Sequence, residues 1–130
     1  MKTVILNCLC VGSGGFLGAV LRYLLGLLSV FNPTGFPLVT FFINASGSFL
    51  IAFFLGLFGN NLTGNPQLIL FLTVGLCGGY TTFSTFSLES LQLLQKGDIL
   101  LAVLYMVLSC AVCVCAALLG HMAATAMHPQ

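Results

Sequence analysis

Charge is what this sequence has least of: three Lys or Arg and two Asp or Glu among 130 residues, against 59% hydrophobic residues. Such a chain has too little polar surface to cover itself in water, which excludes a soluble globular fold and makes this an integral membrane protein. A net charge of +1 supplies neither a basic tail for nucleic acid nor a polybasic patch for anionic headgroups, so neither is expected as a partner. Strand-like alternation is missing as well, which argues against a β-barrel and for a helical bundle.

Acids are scarcer still within the apolar segments. Glu89 is the one acid inside a span, so there is neither the carboxylate ring of a cation pore nor the acid chain of a proton relay. The six cysteines, Cys8, Cys10, Cys77, Cys110, Cys113 and Cys115, all fall in apolar runs. Cys110-x-x-Cys113 has redox or zinc spacing but no histidine or acid beside it, so the thiols are read as small packing groups. His121 and His128, near the far terminus, are read as solvated residues and not as ligands.

What is present is a set of apolar runs separated by five charges, Lys2, Arg22, Glu89, Lys96 and Asp98. They predict four spans at about residues 4–28, 37–58, 67–95 and 99–122, forming one membrane domain over residues 1–130. Met1-Lys2 and the residues after it resemble the opening of a signal peptide. The apolar run resumes through Phe16 to Val20, however, and is read as an uncleaved first span. Four helices leave no room for an enclosed aqueous path, so transport would need an oligomer. Lys2 lies on one side and Lys96, with the region of Arg22, on the other, which gives the insertion machinery almost no instruction. Two copies in opposite orientation would make an antiparallel two-fold dimer.

The third span carries the polar residues. Gly75, Gly78 and Gly79 are followed by Thr81, Thr82, Ser84, Thr85 and Ser87, a composition that predicts a mid-membrane interruption of helix 3. Backbone freed at that depth survives only when buried in protein or lining a wet cavity, so the interruption marks a site. In helix 1, Gly14, Gly18, Arg22 and Gly26 share one face, and Gly14-x-x-x-Gly18 allows close backbone approach. Arg22 is open to two readings, an interfacial anchor or a positive charge at a vestibule that attracts anions. In helix 2, Thr40, Asn44, Gly47 and Ser48 share a face; Asn44 is either interhelical glue or a donor to an anion. Tyr105, Ser109 and Cys113 form a polar stripe on helix 4.

Asn44, Ser84, Thr85, Tyr105 and Ser109 can all donate hydrogen bonds while staying neutral, and donors without acids favour an anion as cargo. Phe83 and Phe86, three apart, would present electropositive ring edges on one face, or pack as an ordinary core pair. Carbonyls freed at the interruption, at Gly78 and Thr81, are hard ligands suited to a cation without transition-metal preference.

These residues resemble the Fluc/CrcB family of small fluoride channels. The resemblance is carried by Gly14-Gly15-Phe-Leu-Gly18-Ala-Val-Leu-Arg22-Tyr23, by Thr40 through Asn44 to Gly47, and by Gly78-Gly79-Tyr80-Thr81-Thr82-Phe83-Ser84-Thr85-Phe86-Ser87. It implies an antiparallel, dual-topology homodimer in the cell (inner) membrane, with two fluoride pathways and a structural sodium ion. It implies sodium held by the Gly78 and Thr81 carbonyls, Phe83 and Phe86 as pore-lining rings, and Arg22 as vestibule charge. Asn44, Ser84, Thr85, Tyr105 and Ser109 would complete the fluoride pathway, with Cys113 where a further hydroxyl is common. The implied activity is passive fluoride export, a conduit and not an enzyme. The alternative is a proton-coupled small multidrug or guanidinium transporter, whose chemistry needs a carboxylate in helix 1; this helix 1 has only Arg22.

Overall fold

Leu, Val and Phe face outward all around the long helices, for example Val4, Leu9 and Phe16 near the N-terminus and Leu100, Val107 and Leu118 near the C-terminus. A helix apolar on every side is suited to lipid. The computed structural model describes residues 1–28, 35–58 and 65–127, and His128 lies outside them. The described residues are all-helical in their regular structure, and four stretches are long and apolar enough to cross a membrane: Lys2–Gly26, Leu38–Phe58, Pro66–Gln95 and Ile99–Met127.

The first two are single helices, α1 (Lys2–Gly26) and α2 (Leu38–Phe58). The third is composite. It opens with α3 (Pro66–Leu70), whose first amides, at Gln67 and Leu68, donate to the Asn65 side chain while Pro66 sits where no amide is needed. A π-helical segment, Phe71–Cys77, follows and leads into α4 (Gly78–Tyr80). Thr81 (φ −75°, ψ 158°) and Thr82 (φ −151°, ψ 116°) are extended, and α5 (Phe83–Gln95) starts after them with the Thr82 hydroxyl accepting from the Thr85 amide at 3.1 Å. The glycines expected to weaken the helix thus stay helical, and the extended backbone falls on the two threonines after them.

α5 turns into α6 (Ile99–Met127) through Gly97, whose φ of +84° disfavours any residue with a Cβ. The Gly97 and Asp98 amides donate back to Leu94 and Leu93, closing the helix end, and the Asp98 carbonyl accepts the first α6 bond, from Ala102.

α1 packs on the π-helical segment and α4, while α2 packs along α6. The first contact is backbone on backbone. A Cβ at Gly18 would strike the Leu76 carbonyl and lie 2.7 Å from the Tyr80 nitrogen, so only glycine lets the two helices meet. The apolar core joins α5 to α6, with Phe86, Leu93, Ala102 and Tyr105 buried together and Phe36, Phe41, Leu101 and Met106 packed around them.

Candidate functional site

Two extended residues inside a helical stretch free several peptide groups, and each must find a partner away from water. Asn44 on α2 supplies two: its Oδ1 accepts from the Thr82 amide at 2.8 Å and its Nδ2 donates to the Thr82 carbonyl at 3.0 Å. One side-chain amide thereby pairs with a single residue as a neighbouring strand would. The Cys77 carbonyl accepts from both the Thr81 amide and the Thr81 hydroxyl, each at 2.9 Å. Arg22 Nε donates to the Gly79 carbonyl at 3.0 Å. Gly78 and Thr81 lose their helical partners, because the Thr82 amide is turned to Asn44 and the Thr85 amide to the Thr82 hydroxyl.

An open cleft of about 310 Å³ lies beside this segment and brings together Asn44, Gly78, Thr81, Phe83, Phe86 and Ser109, along with Cys113. The Phe83 and Phe86 rings have centroids 5.4 Å apart and are tilted by 45°. Phe86 is buried against Tyr105, whereas Phe83 is 77% exposed. Ser109 Oγ is buried and makes no hydrogen bond, a hydroxyl with its proton still to give. Asn44 keeps one N–H beyond the one given to Thr82. The cleft wall therefore combines neutral donors with two aromatic rings.

A second cleft, of about 540 Å³, is lined by Arg22, Tyr23, Thr40, Thr82, Thr85 and Glu89 among others. Thr82 lines both clefts and divides them, a role the sequence reading did not assign. The available signal was local: a threonine three residues before another hydroxyl at a helix start. Ser84 and Tyr105 line neither cleft. Ser84 Oγ lies 3.3 Å from the Thr82 hydroxyl, and Tyr105 is fully buried with its hydroxyl donating to Glu89 Oε2 at 2.7 Å. Thr40 donates to the other oxygen, Glu89 Oε1, also at 2.7 Å. Glu89 is thus a carboxylate held by two hydroxyls from α2 and α6. Among the described residues no group of three or more His, Cys, Asp or Glu could hold a metal ion.

Compared with known proteins, residues 9–121 match the family model described as CrcB-like protein, Camphor Resistance (CrcB). The chain is 46% identical over 125 residues to the fluoride-specific ion channel FluC of Ruminiclostridium cellulolyticum, covering 95% of both chains. It is 48% identical over 102 residues to the FluC channel of Chlorobaculum tepidum, covering 78% of this chain and 81% of the relative. It is also 48% identical over 110 residues to that of Flavobacterium psychrophilum, covering 84% of this chain and 86% of the relative.

Proposed function

The chain belongs to the CrcB-like family, and from that premise we propose that it is a fluoride-selective channel that lets fluoride leave the cell down its gradient. The observation that carries the reading is the Ser109 hydroxyl, buried and unpartnered on the same cleft wall as Phe83, Phe86 and Asn44. A bare anion in an apolar interior costs tens of kcal/mol by idealised Born estimates, more than any one ring edge offsets. Fluoride sheds water only as it gains donors in sequence: the free Asn44 N–H, the ring edges of Phe83 and Phe86, then Ser109. All are neutral, so none holds the ion with the grip of a full positive charge. Passage rather than tight binding follows.

In this reading the third span is interrupted at mid-membrane depth, and a second copy in the opposite orientation closes the cleft. Support comes from Phe83, which is 77% exposed at a cleft within one protomer, and from the near-absent charge bias between the two ends of the spans. The protein then sits as a multi-pass dimer in the cell (inner) membrane. Structural sodium fits the break: the Gly78 and Thr81 carbonyls, both in residues lining the cleft, have lost their helical donors and are hard oxygen ligands. When bound, the ion supplies a fixed positive field that eases the approach of anions.

The test is efflux from liposomes containing purified protein. Fluoride should leave down its gradient with no pH gradient, far faster than chloride, and Phe83→Ile or Phe86→Ile should stop flux while the dimer stays assembled. A requirement for a proton gradient would favour the transporter alternative, and normal flux in both variants would reject the ring assignment.

A further inference from the structure

We propose that Arg22 is a positioning residue of the helix break, acting through its Nε–H on one carbonyl, and not a charge that draws anions to a cleft mouth. The inference rests on the channel reading for its transport readout only. An unbroken helix would give the Gly79 carbonyl the amide of Phe83, four residues on. Thr81 and Thr82, each advancing the chain by about 3.3 Å, carry that amide away. Arg22 Nε stands in for it, 3.0 Å from the oxygen. The carbonyl end of a helical run carries partial negative charge, so a cationic donor suits this place twice over.

The reach of Arg22 follows from α1. Gly18, one turn earlier on the same face, is where the α1 backbone meets Leu76 and Tyr80, and the side chain four residues on emerges beside Gly79. The carbonyls of the break are thereby sorted. Cys77 is taken by Thr81, Gly79 by Arg22 and Thr82 by Asn44, while Gly78, Tyr80 and Thr81 stay open. Without the Nε–H, the Gly79 oxygen competes for the donors that hold the two threonines extended.

Side-chain lengths make the idea testable. Counting bonds from Cα, glutamine Nε2 falls where arginine Nε sits, so Arg22→Gln keeps the donor and drops the charge. Lysine has a methylene at that place, with its ammonium one atom farther, so Arg22→Lys keeps the charge and moves the donor off the position matched to the Gly79 carbonyl. Methionine is neutral with a methyl there, so Arg22→Met loses both.

Fluoride efflux from liposomes is measured for the three variants beside hydrogen–deuterium exchange at the amides of residues 80–83. Positioning predicts that Arg22→Gln conducts within about threefold of wild type. Arg22→Lys and Arg22→Met should fall about tenfold or more, as expected for loss of a charge-assisted hydrogen bond, with faster exchange in that segment. If Arg22→Lys does not assemble, the Gln and Met pair makes the same comparison at equal charge. Lysine conducting as well as or better than glutamine, equal loss in all three, or unchanged exchange in the Lys and Met variants overturns the proposal. A wild-type protein that carries no fluoride would sink the channel reading, while the exchange comparison would still judge Arg22.

Discussion

Replacing Asn44 by alanine is the sharpest perturbation of the break, because one side chain holds both peptide groups of Thr82, at 2.8 and 3.0 Å. Alanine leaves a part-buried N–H and a part-buried C=O without partners. Each orphaned group costs about 1 to 3 kcal/mol, so the pair should cost about 3 kcal/mol once some water enters the open cleft. For a chain of this size that corresponds to a fall of roughly 10 °C in Tm. Ser87→Ala is the control: its exposed hydroxyl only bonds back to Phe83 within α5, so its loss should shift Tm little. Thermal unfolding in detergent, followed by loss of the folded-protein peak on size exclusion, reads both variants. Fluoride efflux should also be abolished in Asn44→Ala, since the donor and the extended backbone go together. If the two variants unfold at the same temperature, the Asn44 clamp does not hold the break and the reasoning fails.

The Glu89 carboxylate gives a second test. Tyr105→Phe removes a 2.7 Å bond to a charged acceptor and should cost about 1.5 to 3 kcal/mol. In a double-mutant cycle with Glu89→Ala, a coupling near zero in thermal stability would show that the two side chains do not share a bond. For the cation, exchanging sodium for a bulky organic cation should slowly lower fluoride flux. Flux indifferent to that exchange after long dialysis would count against the Gly78 and Thr81 carbonyls as ligands.

The four spans were legible because composition alone dictates them: five charges cannot interrupt four apolar runs in many ways. Much of the candidate site was legible for a local reason. Asn44, Phe83, Phe86 and Ser109 stand out as polar or aromatic positions at helical spacing, and one cleft gathers them. What the sequence hid was long-range. Gly75 and Gly79 looked like helix breakers, yet they stay helical because their missing side chains make room for α1, and packing overrides propensity. Tyr105 shares a stripe with Ser109, but its hydroxyl is committed to Glu89. That pairing, and the one with Thr40, spans 16 and 49 residues, so no local pattern announces it. Nor does Phe-Leu-Thr-Val-Gly-Leu-Cys read as anything but ordinary helix.

That last segment constrains how the gene can drift. Each turn of a π-helix holds about one residue more than an α-turn, so Phe71–Cys77 stores surplus length. Deleting a single codon there would let the backbone relax into α geometry while changing the facing of the upstream turns by only a few tens of degrees, because six α residues turn the chain about as far as seven π residues. Gln67, 3.4 Å from Asn7, and Gly75, packed on the first helix, would keep nearly their present faces. A one-residue deletion should therefore be better tolerated at these seven positions than in the α-helical turns on either side.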